Sequence, residues 1–403
     1  MRDIIVMKFG GTSVENVRKI ERVADRIIEA KNSGKSVAVT VSAMGDTTDK
    51  LVDLAGEITD DPSRREMDVL LSTGEQVSIA ALSMAIHKKG HLCVSLTGIQ
   101  AGILTDDVYS NAKILSIKAD RILRELKNDN IVIVAGFQGT NKAGDITTLG
   151  RGGSDTTAVA VAAALKANYC EIYTDVDGVY STDPNLVEKA IKMHSLSYEE
   201  MLEMASSGAK VLHLRAVEFA KKHNVVLHVR SSFNSNEGTW VMDKKNIDTR
   251  MEKPLITGVT YDTDQVKISI FELEDKPGEA AAIFGKFAEN NINIDLIVQN
   301  VSEKGLAAIS LTIKKEDLPM AKKVLEELKQ KHVEIDTDIS KVSIIGSGMQ
   351  THPGVAARMF EILAGSGINI EMISTSPIRI SCVINKSRAK EAVKSLHNGF
   401  DIE

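Results

Sequence analysis

A lysine followed closely by two glycines stands near the start of the chain, in the run Lys8-Phe9-Gly10-Gly11-Thr12-Ser13. An apolar run, 4–7, precedes it and apolar residues at helical spacing follow it, which predicts a turn from a buried strand into a helix. Adjacent glycines let backbone N–H groups approach an anion, and a helix start adds unpaired donors. The residue types fit a phosphate cradle with a charge-stabilising lysine, although a tight turn with a surface lysine has the same pattern. The spacing of a P-loop is absent.

A second glycine-rich run, Leu149-Gly150-Arg151-Gly152-Gly153-Ser154-Asp155, precedes a helical segment, 156–167, composed almost wholly of Ala, Val, Thr and Leu. A helix that is apolar on all sides is buried, and Ser154 or Asp155 has the residue type of its N-cap. Arg151 offers a planar, two-pronged donor for a carboxylate or a phosphate. We expect an anion site where this arginine meets the start of the buried helix.

Carboxylates and a further lysine accompany these two runs. Ser72-Thr73-Gly74-Glu75-Gln76 places an acidic residue inside helical sequence, where a lone glutamate is usually solvated. Three aspartates within 175–183 surround a glycine, and they could position a metal–nucleotide complex or form Asx turns. Ser207-Gly208-Ala209-Lys210 adds the second lysine. This inventory suits phosphoryl transfer, in which catalysis is mostly positioning and charge neutralisation.

The elements that position these groups follow from an alternation of apolar runs and helical patterns in the first part of the chain. Helical segments between apolar runs predict an α/β fold, an open and mostly parallel sheet flanked by helices. In such sheets ligands bind beyond the carboxyl ends of the strands, so the residues that follow each strand should carry the chemistry. Thr12 and Glu15 have the spacing of a capping box for the first helix. The continuous apolar runs that predict buried strands are 4–9, 37–41, 92–96, 131–135, 171–174 and 225–229.

Composition narrows the function classes. The 403 residues, 43% hydrophobic and 26% charged, are ordinary for a globular protein of two or three domains. A formal charge of −6 without a basic cluster argues against a nucleic-acid partner. The longest apolar run, 158–165, is far shorter than the roughly 18 residues of a membrane span, and a signal-peptide pattern is absent. Three isolated cysteines, Cys93, Cys170 and Cys382, indicate buried, reduced thiols in a cytoplasmic protein.

The C-terminal part contains an internal repeat. Polar, turn-rich residues at 231–237 and charged residues at 242–254 predict a domain boundary. Beyond it, the segment 276–295 matches 352–371 at a constant offset. Each copy predicts a strand, a Pro-Gly turn, a helix, an Asn-containing turn and a second strand. Two copies are too few for a solenoid, so we expect a paired α+β module.

Five runs taken together resemble the motifs of aspartokinases, in aspartokinase order, and the resemblance covers the whole chain. It implies an amino-acid-kinase catalytic domain over 1–240 and ATP-dependent phosphorylation of the side-chain carboxylate of L-aspartate, the first step of lysine, threonine and methionine biosynthesis. The repeats resemble ACT domains, a ferredoxin-like α+β fold, at 255–335 and 340–403. In family members the first strand of the second ACT unit can come from before the first unit, here from 255–261. The five runs are 8–14, 72–76, 149–155, 174–178 and 208–213.

The resemblance also implies roles for residues. Lys8, Lys210 and Asp175 would be catalytic, and the two lysines would neutralise transition-state charge, because a carboxylate nucleophile is already ionised and needs cations rather than a base. Mg²⁺ would be held mainly by the ATP phosphates, without a protein metal site. Asn185 stands where the family commonly has arginine, which affects one nucleotide contact. The residues implied for ATP are Lys8, Phe9, Gly10, Gly11, Thr174, Asp175, Tyr180, Asp183 and Lys210. Those implied for aspartate are Ser42, Thr47, Glu75 on the ammonium side, Arg151 on a carboxylate, Gly152, Gly153 and Ser154.

For the ACT repeats the resemblance implies pairing across a subunit interface, in a homodimer or tetramer, with a feedback amino acid bound between the Pro-Gly turn and the Asn-containing turn. The effector would be lysine, threonine or both, and Asp275 or Asp295 would pair with its ammonium. A purely assembling role for the repeats stays open. The candidate effector contacts are Asp275, Gly278, Ala280, Asn293, Ile294, Asp295, Gln299 and Asn300.

Two alternatives remain. Other amino-acid-kinase enzymes phosphorylate acetylglutamate, glutamate, carbamate or UMP, but they generally lack a paired ACT tail. A non-catalytic, amino-acid-sensing regulatory subunit is the alternative from a different class. The intact Lys8, Glu75, Arg151 and Lys210 argue against it, because a subunit without catalysis has no need of them.

Overall fold

The computed structural model describes residues 3–247, 255–301, 306–330 and 332–402. These residues form two compact units. The first unit comprises 3–179, 192–205 and 210–247, and the second comprises 180–191, 206–209 and the described residues from 255 onward. The end of the predicted boundary segment, 248–254, lies outside the described residues, as do 302–305, 331 and 403 within the predicted ACT units. The predicted domain limits therefore stay predictions.

The first unit is an α/β structure. Its strands are β1 (Ile4–Phe9), β2 (Ser36–Val41), β3 (Cys93–Leu96), β4 (Ile103–Thr105), β5 (Ile114–Ile117), β6 (Ile131–Ala135), β7 (Gln138–Thr140), β8 (Ile146–Thr148), β9 (Tyr169–Thr174), β10 (Ser195–Ser197), β11 (Leu227–Ser231) and β12 (Thr239–Met242). Its helices are α1 (Val17–Asn32), α2 (Thr47–Ile58), α3 (Arg64–Lys88), α4 (Asp120–Lys127), α5 (Gly153–Leu165), α6 (Tyr198–Ser206) and α7 (Leu214–His223).

The main sheet of the first unit has eight strands among the described residues, in the order β10-β12-β11-β9-β1-β2-β6-β3. Its pairs are parallel except β11 with β12. This confirms the predicted open, mostly parallel sheet, and each of the six predicted strands is present. A smaller sheet, β5-β4-β7-β8, was not predicted. Most of its strands have three residues, too few to produce a clear pattern.

The helix starts differ from the prediction at both glycine-rich runs. Asn16, not Thr12, caps α1, since its side chain accepts from Lys19 N. Glu15 pairs with Lys19 instead of closing a capping box. Helix α5 begins at Gly153, so the predicted N-cap at Ser154 or Asp155 is wrong and the cap is Gly152. As predicted, α5 is buried along most of its length.

Helix α3 is both long and apolar. It is long and apolar enough to cross a membrane, but half of its most apolar window is buried inside the fold. Its buried face includes polar side chains, among them Asp68, Ser72 and Glu75. A core helix packed on a sheet has these properties, so its composition does not by itself indicate a membrane.

The second unit contains the internal repeat. Its strands are β13 (Gly258–Asp262), β14 (Gln265–Glu274), β15 (Ile294–Val301), β16 (Leu306–Lys314), β17 (Val333–Asp336), β18 (Ile339–Ile345), β19 (Met372–Ser376) and β20 (Arg379–Asn385). Its helices are α8 (Glu279–Glu289), α9 (Leu318–Glu327), α10 (Val355–Gly365) and α11 (Ala389–Gly399).

Each repeat has its own four-stranded sheet, with orders β15-β16-β14-β17 and β13-β18-β20-β19. Strand β13 precedes the first repeat in the chain but pairs with β18 of the second, antiparallel, with Gly258 opposite Ile345. It occupies the place that β17 takes beside β14 in the first repeat. The prediction that residues before the first repeat supply a strand to the second is therefore confirmed.

Candidate active site

Several candidate residues of the first unit lie at the carboxyl ends of β9, β1 and β2, beside which β6 continues the sheet. Asp175, Gly10, Ser42 and Gly136 are the first residues after these strands. Because the strands are adjacent and parallel, their carboxyl ends meet at one edge of the sheet. The structure thus brings Asp175, Gly10 and Ser42, which are far apart along the chain, to one edge of the sheet.

The turn after β1 is pressed against the loop after β2. A Cβ at Gly11 would lie 2.8 Å from the Ala43 carbonyl O, too close for a side chain. Gly45 N donates to Gly11 O at 3.1 Å, and Ser42 N donates to Phe9 O at 3.1 Å. Only glycine fits at position 11, because the neighbouring backbone is too close for a side chain. Without side chains in the way, the backbone N–H groups of the turn can approach a ligand.

Lys8 extends its ammonium over this turn, since a Cβ at Gly10 would lie 3.4 Å from Lys8 Nζ. Lys8 Nζ also lies 2.6 Å from Asp155 Oδ1, and the two side chains are 12% and 13% exposed. Asp155 lies in the first turn of α5, where the helix dipole favours a carboxylate. A largely buried ion pair thus stands beside the glycine turn, and sequence reasoning had considered Asp155 only as a helix cap.

Phe9 does not present its side chain to this edge. Its ring is fully buried and stacks on Tyr173 with ring centroids 4.6 Å apart. Successive residues of a strand point to opposite faces, so Phe9 must face away from Lys8. The prediction of Phe9 as a nucleotide contact is wrong for its side chain, and strand alternation would have shown this from the sequence.

Glu75 is buried in α3 at 3% exposure. Its Oε1 accepts from Ala43 N at 3.1 Å, whereas its Oε2 is buried without a hydrogen-bond partner among the described residues. Burial raises the pKa of Glu75 to about 7. Thr47 lies nearby, because its Cγ2 would be 3.5 Å from a Cβ at the adjacent Gly74. A buried carboxylate with an unsatisfied oxygen fits a cationic ligand group, such as an ammonium.

The loop that carries the exposed Arg151 approaches α7 closely. Gly152 has φ 67°, and a Cβ there would lie 2.0 Å from Cγ of His213. Gly153 and Ser154, the next two residues, are buried in the first turn of α5. Only glycine fits at position 152, because the His213 ring occupies the space of a side chain and the backbone has a left-handed conformation. Burial lowers the pKa of His213 below its usual value.

Two charged residues, one in α3 and one in α7, bind the backbone at the start of this loop. Asp68 in α3 accepts from Thr148 N at 2.8 Å and Thr148 Oγ1 at 2.7 Å, and also from Ser110 N at 3.0 Å. Arg215 Nη1 in α7 donates to Leu149 O at 2.7 Å. Asp68 is fully buried, yet the sequence places it on a helix where an aspartate is ordinarily solvated. Sequence reasoning missed both residues, and no local signal distinguishes them.

The candidate nucleotide residues are divided between the two units. Thr174 and the exposed Asp175 follow β9 in the first unit, joined by a hydrogen bond of 3.0 Å. Lys210 is exposed and also belongs to the first unit. Tyr180 and Asp183 belong to the second unit.

The loop around Asp183 and the preceding turn have structural hydrogen bonds. Asp183 Oδ1 accepts from Asn185 N at 2.9 Å and from its Nδ2 at 3.2 Å, so Asn185 closes an Asx turn. Asp177 accepts from Asn236 Nδ2 at 3.0 Å. Within the described residues, moreover, no group of three His, Cys, Asp or Glu side chains could hold a metal ion.

The candidate effector residues of the second unit fall into two groups. The first group surrounds the start of α8 and contains Asp275, Gly278 and Ala280. Strands β14 and β15 both pair antiparallel with β16, so they run in the same direction and end at the same edge. The end of β15 therefore places Gln299 and Asn300 at the same end of the repeat as the first group. The second group, 293–295, lies at the opposite end of α8, about 16 Å away for eleven residues. Within one chain, therefore, the two turns are too far apart for one amino acid to contact both, and the predicted effector position between paired subunits stays a prediction.

Asp295 has a partner in the same chain. Its carboxylate forms an ion pair with Lys341 in β18. An effector ammonium at Asp295 would have to compete with this pair. Asp275 is exposed beside the turn.

Models of two protein families match the chain. The model of the amino acid kinase family matches residues 3–231, and models of the ACT domain match 268–332 and 342–400. An aspartokinase of Geobacillus stearothermophilus is 51% identical over 399 residues, covering 99% of this chain and 97% of that protein.

Solved structures resemble the chain over almost its whole length. E. coli aspartokinase III in complex with aspartate and ADP, in the R-state, matches with a TM-score of 0.86 at 28% identity, covering 98% of this chain and 99% of that one. E. coli aspartokinase III in complex with lysine and aspartate, in the T-state, matches with a TM-score of 0.75 at 28% identity and the same coverage.

Proposed function

The chain belongs to the aspartokinase family, and from this membership we propose that it transfers the γ-phosphoryl group of ATP to the side-chain carboxylate of L-aspartate. A carboxylate oxygen of aspartate forms the new bond to phosphorus, the bond from the γ-phosphorus to the β,γ-bridging oxygen breaks, and ADP leaves. The product is 4-phospho-L-aspartate. No base is required, because the attacking carboxylate is already ionised at neutral pH.

One observation carries the proposal: Ala43 joins the glycine turn to Glu75. The Ala43 carbonyl presses on Gly11, and Ala43 N donates to Glu75 Oε1. The Lys8 ammonium and the unsatisfied Glu75 oxygen thus belong to one connected edge of the sheet. A cation for phosphate and an acceptor for ammonium are the two groups that this reaction needs side by side.

In this proposal Glu75 receives the ammonium of aspartate, and Arg151 grips a carboxylate with its planar fork. Ser42, Thr47 and the segment 152–154 line the same substrate position. Binding of the ammonium favours the charged form of Glu75, which burial otherwise disfavours. The substrate ammonium thus supplies the counter-charge that the buried Glu75 carboxylate lacks.

Lys8, with Gly10 and Gly11, would hold the phosphoryl group as negative charge develops. Lys8 pairs with Asp155, and this ion pair fixes the ammonium over the turn. Lys210, Thr174, Asp175, Tyr180 and Asp183 would contact the nucleotide. Bound Mg²⁺ would neutralise phosphate charge, with the ATP phosphates as its main ligands.

For the second unit we propose feedback inhibition by lysine, threonine or both. Support comes from the matched ACT domains and from the E. coli aspartokinase III complex with lysine. The two groups of candidate contacts lie at opposite ends of α8, so two copies of the unit would have to face each other to enclose one effector. This favours a homodimer or tetramer assembled through the repeats.

The proposed reaction opens the synthesis of lysine, threonine and methionine from aspartate. The three cysteines are buried and free, as suits a reducing compartment. We therefore infer a cytoplasmic location.

The test is release of ADP with Mg·ATP and, separately, aspartate, acetylglutamate, glutamate and UMP, each with and without lysine and threonine. We expect turnover with aspartate alone, suppressed by at least one of the two amino acids. Turnover on another substrate but not on aspartate would overturn the substrate assignment. Turnover that ignores both amino acids would overturn feedback by them and leave the kinase.

A further inference from the structure

Lys341 is fully buried in the second unit, where its ammonium has polar partners on two other segments. It lies on β18, and its ammonium pairs with Asp295 on β15 of the other repeat. The same ammonium donates to the Ser206 carbonyl O at 3.1 Å. A buried ammonium without a partner is costly, so these contacts are strongly specified. Burial lowers the pKa of Lys341, and the neighbouring Asp295 opposes that shift.

The segment 206–209 is held by three neighbouring strands of one sheet. Lys341 on β18 binds Ser206 O, and Arg379 Nη1 on β20 donates to Ser206 Oγ at 3.2 Å. On β13, the Tyr261 carbonyl O would lie 2.1 Å from a Cβ at Gly208, whose φ is 110°. A side chain at Gly208 is therefore excluded by both space and backbone conformation.

The segment 206–209 leads directly into Lys210. Although 206–209 belongs to the second unit, the next residue in the chain belongs to the first. Ser206 therefore lies only four residues before a candidate nucleotide contact in the chain.

We propose that Lys341 is a positioning residue that couples Asp295 to the segment 206–209 and, through it, to Lys210. The proposal rests on the proposed function, because it takes Asp295 as an effector contact and Lys210 as a nucleotide contact. An effector ammonium that binds Asp295 competes with Lys341 for the carboxylate. Lys341 then loses its counter-ion, its hold on Ser206 O changes, and Lys210 is displaced from its place on the nucleotide. The inhibited and active forms differ in the partner of Asp295.

The first experiment compares Lys341→Met with Lys267→Met in the full-length protein. Lys267 is a matched control, since it pairs with Glu371 and Asp336 within the same unit. We expect Lys341→Met to raise the KM for Mg·ATP about tenfold, with the KM for aspartate unchanged, because displacement of a positioning group costs transition-state binding. Inhibition by lysine or threonine should weaken in the same variant. Lys267→Met should change neither property.

A second measurement does not depend on activity. Amide hydrogen exchange of 206–209 should be faster in Lys341→Met than in wild type or Lys267→Met, and Lys341→Arg should restore slow exchange. Lysine or threonine added to the wild type should accelerate exchange in the same segment. Asp295→Asn should accelerate it without effector, which gives a second variant if Lys341→Met does not fold.

The outcomes separate this proposal from the proposed function. Absence of aspartate-dependent turnover in the wild type would overturn the function, while exchange in 206–209 would still report on Lys341. Equal kinetics and equal exchange in Lys341→Met and Lys267→Met would overturn the positioning role. Exchange in wild type that responds to neither lysine nor threonine would overturn the coupling to Asp295.

Discussion

Helix α3 buries two carboxylates on one face, two turns apart, and their surroundings differ. Asp68 accepts hydrogen bonds from the backbone and hydroxyl groups of Ser110 and Thr148. Glu75 accepts from Ala43 N, and its second oxygen has no partner among the described residues. Both residues are carboxylic acids on the same helix, and they are nearly equally buried.

The difference separates a carboxylate that organises the protein from one that awaits a ligand. Asp68 is satisfied by groups on distant segments, so it fixes the loop that leads to Arg151. The environment of Glu75 is incomplete, and its raised pKa reports the cost of keeping a charge there. Hydrogen-bond saturation, rather than burial or residue type, distinguishes the two roles. Lys8 stands between these cases, because it is paired with Asp155 and yet lies over the glycine turn.

Substitution of Lys8 is expected to have the largest effect on activity. It tests whether a lysine that forms an ion pair with Asp155 also acts in catalysis. We expect Lys8→Ala to lower kcat by about a hundredfold or more, the usual cost of a lost preorganised charge contact. The measurement is kcat at saturating ATP and aspartate. Lys35→Ala is the control, since Lys35 donates to Tyr169 OH from a position just before β2. A near wild-type kcat in Lys8→Ala would rule out the proposed role.

Glu75→Gln tests the unsatisfied carboxylate. We expect kcat/KM for aspartate to fall about thirtyfold, because the ammonium loses a buried anionic partner worth about 2 kcal/mol. The KM for Mg·ATP should be little changed. The folded state should become more stable at pH 8, since a raised pKa means that the charged form of Glu75 is disfavoured on folding. A variant with lower stability and unchanged aspartate kinetics would reverse the comparison with Asp68.

Asp68→Asn tests the saturated carboxylate. The amide replaces an acceptor with a donor that faces backbone N–H groups, so we expect the free energy of unfolding to fall by about 1–3 kcal/mol. The KM for aspartate should rise about fivefold through the displaced Arg151 loop, with less change in kcat. Thermal unfolding and steady-state kinetics measure both. Unchanged stability would mean that the hydrogen bonds of Asp68 do not hold the loop.

The smallest expected effect is a pH dependence. Protonation of Glu75, with a pKa of about 7, removes the acceptor for the substrate ammonium in the free enzyme. From pH 8 to pH 6.5, kcat/KM for aspartate should fall about fourfold. In Glu75→Gln this limb of the pH profile should disappear. Its persistence there would assign the titration to another group.

The sequence predicted what depends on local pattern. Continuous apolar runs located the strands, and the glycine runs marked the turns at their carboxyl ends. The constant offset between 276–295 and 352–371 predicted the repeat. These signals are local because they reflect burial on both faces of a strand and backbone conformations that favour glycine.

The remaining features depend on contacts between distant segments. An aspartate at position 68 has the appearance of a solvated helix residue until the backbone of Ser110 and Thr148 reaches it. Lys341 lies on a strand in which nothing nearby indicates Asp295 or Ser206 as partners. Phe9 is different, because its direction could be predicted from the sequence. Side chains alternate along a strand, so Phe9 must point away from Lys8, but the motif resemblance assigned both residues to the nucleotide.

The crossing of β13 from before the first repeat into the sheet of the second has a consequence for how the chain is made and recombined. During synthesis, β13 emerges from the ribosome early but cannot pair until the whole first repeat and β18 have followed it. The first repeat has all four of its strands once β17 has emerged, whereas the second repeat can complete its sheet only when β18, β19 and β20 have joined β13. A crossover between genes placed in the middle of the tail would separate β13 from its sheet. Recombination can therefore exchange the two repeats only as one segment, from β13 to α11.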